Sequence, residues 1–479
     1  MKQLHRKFLR TAIAAAIATA SPFAGAATFT VTNLNDAGAG SLRDAIGQAN
    51  AAAGADTIRF QAGLAGMIPL ASEIAITDTL DVAGPGVSTI KIDGNLSTRL
   101  FKVQHAGGSA ITATFSGLTL ANGHAQDEGG AIWASGDNVV VAASILDGNI
   151  ANTRGGAIFV ANANLSIDAS GIWNSQTGST GGAILFSAGD LSITRSLIMD
   201  NASEFGGGLS ALSPRVNVTI SDTTFRNNAA EHTGGGIWAS TATSFKVSRS
   251  AFVDNTTGQP NGGGIYFAGV TDFGSPVNFI ENSTFSGNQS LHQVGRGSAL
   301  AIASGNMTIR NSTFAFNKTS PNDPPGANAG GALWVGGGST TQVKLQSDLF
   351  AGNTHGNANL LFDVYRENGG TQSTIDVANS AFQTQPDVTT LNGTVTAPMF
   401  DTDPQIGALE ASGSTLVHPL PETSPVLDHG LNPASLTTDQ RGPGFPRAAA
   451  STEGGQAVTD IGAYEYRVDR IFFGDFEAH

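Results

Sequence analysis

The stretch GGAIWASGDNVVVAASILDGNIANTRGGAIFVANANLSIDASGIWNSQTGSTGGAIL (residues 129–185) contains one pattern three times over. A Gly-Gly-small-Ile/Leu block opens at Gly129, Gly155 and Gly181, and it recurs at Gly206, Gly234, Gly262, Gly297 (as GSALA) and Gly330. Successive blocks are 26, 26, 25, 28, 28, 35 and 33 residues apart. Between them falls a second block, an apolar residue three before an Asn: Leu146/Asn149, Ile198/Asn201, Phe225/Asn228, Phe252/Asn255, Phe285/Asn288, Phe314/Asn317 and Phe350/Asn353. Short alternating runs such as LSIT (191–194) and VNVTI (216–220) precede these Asn blocks.

Two or three short strands per repeat, punctuated by Gly and Asn and without a 3.6-residue period, describe a solenoid in which each repeat is one turn of β-structure. A leucine-rich repeat needs its own Leu/Asn consensus, and a propeller blade needs about 40 residues. The pattern predicts an all-β chain, a right-handed parallel β-helix of the pectate-lyase-like solenoid kind. About eleven or twelve coils from Ile74 to Phe382, spaced at roughly 4.8 Å, give a rod of roughly 55 Å. Gly pairs are expected at tight corners, and the Asn residues are expected to occupy left-handed turns and to stack.

Composition agrees with a large regular core. The 479 residues are 40% apolar and only 13% charged, and Cys is absent, which excludes disulfides and Cys-ligated metals. A net charge of −14 argues against a nucleic-acid partner. Lys2, Arg6, Lys7 and Arg10 precede the apolar run Thr11 to Ala20, and Ala24-Gly25-Ala26 offers a cleavage site, so residues 1–26 read as a secretory signal peptide. No later run is long enough to cross a membrane as a helix, so no integral segment is expected after cleavage.

Several stretches resemble known families. The alternating GGAI and FxxN blocks over residues 115–382 are similar to polymorphic outer-membrane-protein repeats and the wider pectate-lyase-like superfamily. FTVTNLNDAGAGSLRDAIGQANAAAGADTIRF (29–60) resembles the CSLREA-type segment that opens many secreted bacterial β-helix proteins, with Gly40 in place of the Cys. SPVLDHGLNPASLTTDQRG (424–442) with DIGAYE (460–465) resembles the choice-of-anchor Q module. The resemblance implies an exported protein at the outer-membrane surface or secreted, acting as an adhesin or a structural or binding module. It implies no shared chemistry.

The expected organisation is a signal peptide (1–26), an N-terminal cap (27–73), β-helix repeats (74–385), an irregular choice-of-anchor-Q-like C-terminal cap (386–467) and a tail (468–479). Ser41 followed by Asp44, with Leu42, Ala45, Ile46 and Ala49 at helical spacing, predicts a capping helix over 41–52. Asp428, Asp439, Arg441, Asp460 and Glu465 are read as turn formers and buried ion pairs in preference to a metal site. Arg195, Asp222 and Arg249, each six residues before an Asn, predict an ion ladder on the outer face.

A polysaccharide lyase or glycoside hydrolase on this scaffold needs paired carboxylates or an Arg/Lys base beside acids. The one adjacent acidic pair, Asp127-Glu128, reads as a solvated turn, and the His residues show no metal-binding spacing. No catalytic residue, metal or cofactor is assigned, so the chain reads as non-enzymatic, with a secreted lyase or hydrolase as the alternative. The position after each Ile/Leu of the Gly blocks is more informative. It holds Trp133, Phe159, Leu185, Ser210, Trp238, Tyr266, Ala301 and Trp334, flanked by apolar residues on both sides. Alternation along a strand turns this position outward. Trp133, Phe159, Trp238, Tyr266 and Trp334 are therefore candidate stacking residues for a polysaccharide or a cell-surface protein. The competing reading is a satellite cluster covered by corner loops such as 318–329.

Overall fold

Strand alternation does the first work. In Val216–Ser221, Val218 and Ile220 are buried while Asn217 and Thr219 are exposed, and the same alternation recurs coil after coil. A computed structural model describes residues 25–468 except 106, 214, 241–242, 270–277, 321–329, 338–340, 357–359, 368–372 and 387–390. The body of the predicted signal peptide and almost all of the tail lie outside the described residues, as does most of the 318–329 loop.

The chain is a right-handed parallel β-helix of about 12 turns. Among the described residues its strands form four long ladders. Sheet A has 14 strands, from Thr28–Val31 to Asn392–Thr396; sheet B has 12, from Gly66–Pro69 to Ala381–Phe382; sheet C has 11, from Ile74–Ile76 to Val364–Arg366. Sheet D has 10 very short strands, from His124–Ala125 to Leu360–Leu361. One coil shows the circuit: Ile237–Ser240 in C, Ser244–Ser248 in A, Ala251–Val253 in B, Thr256–Thr257 in D, then the next Gly block.

The two glycines of each block serve different needs. Gly155 has φ +62°, which only glycine adopts cheaply, whereas a Cβ on Gly156 would sit 2.1 Å from the Gly182 carbonyl oxygen of the next coil. The pair thus combines a left-handed corner with a close backbone approach.

The Asn residues do stack, but they do so inside the rod, and the left-handed position is the residue before them: Asp200, Asn227 and Asp254 have φ between 51° and 56°. Asn201, Asn228, Asn255, Asn288 and Asn317 each donate from Nδ2 to the Oδ1 of the next Asn at 2.9–3.0 Å, ending on Asn353. A second internal ladder, of hydroxyls, runs at the A–B corner. Backbone amides of Ser170, Ser196, Thr223 and Ser250 donate to the Oγ of Ser196, Thr223, Ser250 and Ser283 at 3.2–3.3 Å. Beside the Asn ladder, Phe225, Phe252, Phe285, Phe314, Phe350 and Phe382 stack with centroids 4.7–5.2 Å apart. The coil spacing matches the favoured aromatic contact, and each fully buried Phe contributes about 1.5–3 kcal/mol of transfer free energy.

The N-terminal end is closed by helix α1 (Leu42–Ala51). Ser41 caps it by accepting the Asp44 amide at 3.2 Å, and its buried residues are Leu42, Ala45, Ile46 and Ala49. At the other end Asn392–Thr396 adds the last strand of sheet A, and Leu391 enters the main core. The irregular segment that follows does more than cover an end. It runs back along the A–B corner as a strap, touching the corner residue of successive coils. His429 and Leu431 carbonyls accept from Asn379 and Asn311, and the Gly462 amide donates to the Ser347 carbonyl at 2.8 Å. Farther back, Asn282 donates to the Thr438 carbonyl, Thr415 to the Arg249 carbonyl and Ser414 to Asp222.

Ion pairs hold the strap together. Arg447 pairs with Glu465 at 2.9 Å with both side chains at most 1% exposed, and Arg441 pairs with Asp439 while lying 3.8 Å from the Tyr464 ring centroid. Asp460 accepts the amides of Asp428 and Tyr466 at 2.8 and 2.7 Å.

Candidate ligand-binding face

Register puts the outward positions of sheet C in one line. Lys102, Trp133, Phe159, Leu185, Ser210, Trp238, Tyr266, Ala301, Trp334 and Tyr365 are paired residue by residue across adjacent strands. Lys102 and Tyr365 were not visible as members from sequence, because no Gly-Gly block introduces their strands. Trp133, Trp238 and Tyr266 are half-buried, whereas Phe159 and Trp334 are buried, at 6% and 4% exposure.

What covers the column is a neighbouring line of side chains, those preceding the Gly blocks. Glu128, Arg154, Thr180 and Phe205 form successive isolated bridges there, followed by Thr233, Asn261 and Arg296. In the four coils from Ser210 to Ala301 the two lines are complementary in size, whereas Trp133 and Phe159 meet the large Glu128 and Arg154. Where the outward residue is small, as at Ser210 and Ala301, the covering residue of the same coil is large: Phe205 and Arg296. Where it is Trp238 or Tyr266, the covering residue is Thr233 or Asn261.

At the N-terminal end, the Trp133 and Phe159 rings stack at 6.1 Å and 11°. Lys102 Nζ lies 5.1 Å from the Trp133 centroid and the Arg154 guanidinium 5.5 Å from that of Phe159. Glu128 is no solvated turn residue. It accepts Trp133 Nε1–H at 3.1 Å and pairs with Arg154, while Asp127 pairs with Arg99. In mid-column Phe205 packs 4.9 Å from Trp238 and 4.8 Å from His232. Toward the C-terminal end Ala301, Trp334 and Tyr365 form a small apolar cluster with Tyr266, Ala303 and Phe362. Burial pushes the Tyr266 and Tyr365 phenols up from their usual range, against the pull of Arg296, so both remain protonated.

The outer charges are structural. Arg249 forms a two-pronged pair with Asp222, Nε–Oδ1 at 2.8 Å and Nη2–Oδ2 at 2.6 Å, but Arg195 turns to Asp168 of the preceding coil. Partial burial opposes ionisation of Asp222, yet the Arg249 hydrogen bonds and charge hold its carboxyl below the ordinary value. All three residues occupy left-handed corners, with φ of 45–52°. Among the described residues no group of three or more His, Cys, Asp or Glu is placed to hold a metal, and no helix is long and apolar enough to cross a membrane.

Residues 222–240 match the Chlamydia polymorphic membrane protein repeat, a segment that runs from the Asp222 corner through Asn228 to the GGGIW block. No curated protein sequence matches the chain. Similar solved structures include a PL6 alginate lyase in complex with a trisaccharide (11% identity, 82% of this chain and 91% of that one, TM-score 0.39). Another is the alginate lyase AlyF-OU02 with G6 (13% identity, 81% and 91%, TM-score 0.41). A third is the A-module of the Azotobacter vinelandii mannuronan C-5 epimerase AlgE6 (13% identity, 78% and 99%, TM-score 0.37). Sequence and coordinates thus agree on a parallel β-solenoid that contains a repeat of the polymorphic membrane protein kind.

Proposed function

We propose that this chain is an exported surface β-helix protein that works by binding, as an adhesin or a structural binding module, and that polysaccharide is its partner on sheet C. The observation that carries this reading is the in-register outward column with half-exposed Trp133, Trp238 and Tyr266. Rings held at coil spacing on a rigid sheet lose little conformational entropy on stacking against a sugar. The repeat matched at residues 222–240 supports a surface location. The test is a screen of residues 27–479 against acidic and neutral polysaccharides, reading binding and product release together. Binding without turnover supports the module, and turnover refutes it.

A lyase or hydrolase is the second reading. An open groove of about 500 Å³ on sheet A is lined by Asp190, Ser192, Asn217, Thr219, Ser244 and Lys246, which brings a carboxylate and an amine to one surface. Asp190 is engaged by Asn217 Nδ2 at 2.8 Å. Product release that disappears in Lys246→Ala is the result this reading requires.

A further inference from the structure

The column has two gaps, and they are closed differently. At Ser210 the gap is filled by the Phe205 ring, which packs on Trp238, and Ser210 Oγ donates to the Phe205 carbonyl at 2.9 Å. At Ala301 the gap lies between Tyr266 and Trp334, two coils apart and so separated by roughly 9.6 Å. That height admits one further ring, since two stacking contacts need about 3.5–4.0 Å each. Here the filler is Arg296, whose guanidinium lies 5.1 Å from the Trp334 centroid. Its ion-pair partner is Glu367, at 3.1 Å, and each side chain is about one-third exposed. Such a pair contributes only about 0–1 kcal/mol, so the guanidinium is cheap to move.

Three buried polar atoms gathered around this gap have no hydrogen-bond partner among the described residues: Arg296 Nε, Trp334 Nε1 and Tyr365 Oη. Trp334 and Tyr365 are at least nine-tenths buried. Orphaned groups of this kind each carry a desolvation penalty that a fitting partner relieves. Two of the three are obligate donors and the third donates readily, so the missing partner is an acceptor, and the cation beside them favours an anionic one.

We propose that the Ala301 gap is a subsite for one carboxylate-bearing sugar ring, a uronate unit within an acidic polysaccharide. The ring enters between Tyr266 and Trp334, Arg296 exchanges Glu367 for the ligand carboxylate, and Trp334 Nε1–H and Tyr365 O–H meet its oxygens. This rests on the polysaccharide-binding reading above and adds the ligand class. The net charge of −14 opposes a polyanion at long range. That repulsion is screened beyond about 8 Å at physiological ionic strength, and once Arg296 leaves Glu367 its guanidinium is the charge that meets the ligand carboxylate.

The test is calorimetric titration of residues 27–479 with an oligogalacturonate, a neutral cello-oligosaccharide, and sodium acetate as a free carboxylate. The oligogalacturonate is expected to bind at least ten-fold more tightly than the neutral oligomer. Arg296→Gln should remove that preference, Trp334→Phe and Tyr365→Phe should each weaken the acidic oligomer about three- to ten-fold with the neutral one unchanged, and Glu367→Gln should strengthen it. Acetate binding equal to that of the oligomer overturns the ring subsite in favour of a simple anion site. Neutral binding without an acidic preference overturns the subsite and leaves the binding module standing, whereas no binding of either oligomer overturns both. Trp334→Phe and Tyr365→Phe proteins that melt higher and bind acidic oligomer as well as the parent also refute the subsite, because the orphaned groups are then only a packing cost.

Discussion

Asn255 Oδ1 accepts two hydrogen bonds from Asn228, one from its backbone amide at 3.0 Å and one from Nδ2 at 3.0 Å. Each rung therefore satisfies both the main chain and the side chain of the coil before it. Asn255→Ala leaves the Asn228 amide and one Nδ2 hydrogen without an acceptor, the other still donating to the Ile198 carbonyl, and at about 1–3 kcal/mol per group the expected loss is roughly 2–6 kcal/mol. Asn255→Asp should be worse. Its second oxygen would face the Phe225 carbonyl and Asn288 Oδ1, which now accept from Asn255 Nδ2 at 2.9 and 3.0 Å. Urea denaturation of the three proteins checks the order; an Asp variant as stable as the parent contradicts the ladder geometry.

On sheet C, Trp238 and Tyr266 are half-exposed neighbours in adjacent coils. The double variant Trp238→Ser/Tyr266→Ser is expected to lower glycan affinity about ten-fold or more while leaving the melting temperature within a few degrees, since neither ring belongs to the main core. Affinity measured by calorimetry alongside thermal melts separates the two effects. Unchanged glycan or cell binding in a folded double variant rules out the platform.

The coils were legible in sequence because each part of a coil has its own chemical requirement. Gly155 must adopt a positive φ, Gly156 has no room for a Cβ, and Asn228 must supply both donor and acceptor. The outward column was legible for the same reason, since register follows from alternation. Its exposure was not. Whether Trp334 faces water depends on Arg296, 38 positions earlier, and Glu128 changes from a turn acid to a Trp133 partner only when coils stack. The course of the strap was also hidden, because contacts such as Asn282 to Thr438 join residues 156 apart with no periodic signal.

Asp363 ends the Asn ladder by accepting Asn353 Nδ2 at 3.0 Å and the Thr384 amide at 3.1 Å. Burial raises its carboxyl to about 6, against these hydrogen bonds. A carboxyl whose folded pKa is raised binds protons more readily folded than unfolded, so its contribution to stability is full below about pH 4 and is lost as pH rises to about 6. Denaturation midpoints of the parent minus those of Asp363→Asn, taken from pH 4 to 7, should fall across that window and flatten above it. A flat difference curve contradicts the assignment.

The buried Arg447 and Glu465 tie the strap to itself, with Arg447 also donating to the Gly462 and Asp460 carbonyls at 2.9 and 3.0 Å, and Arg447 ties it to the rod by donating to Asn282 Oδ1 at 3.3 Å. Removing Arg447 leaves Glu465, whose carboxyl burial already raises to about 8, protonated and short of a hydrogen-bond partner, at a cost of about 1–3 kcal/mol. Because the strap packs on Leu349 and Ala381 of sheet B in a small core apart from the main one, Arg447→Met should loosen residues 400–467 before the solenoid melts. Hydrogen exchange should then show fast amides at Gly462 and Leu431 with the Asn228 amide still protected. The corner residues Asn282, Asn311 and Ser347 meet the strap through their side chains and the Ser347 carbonyl, and their own amides donate to the Arg310, Gln346 and Ala378 carbonyls of the next coil, so those amides should stay protected while the strap amides exchange. Uniform acceleration along the whole rod would instead mean that strap and solenoid unfold as one cooperative unit.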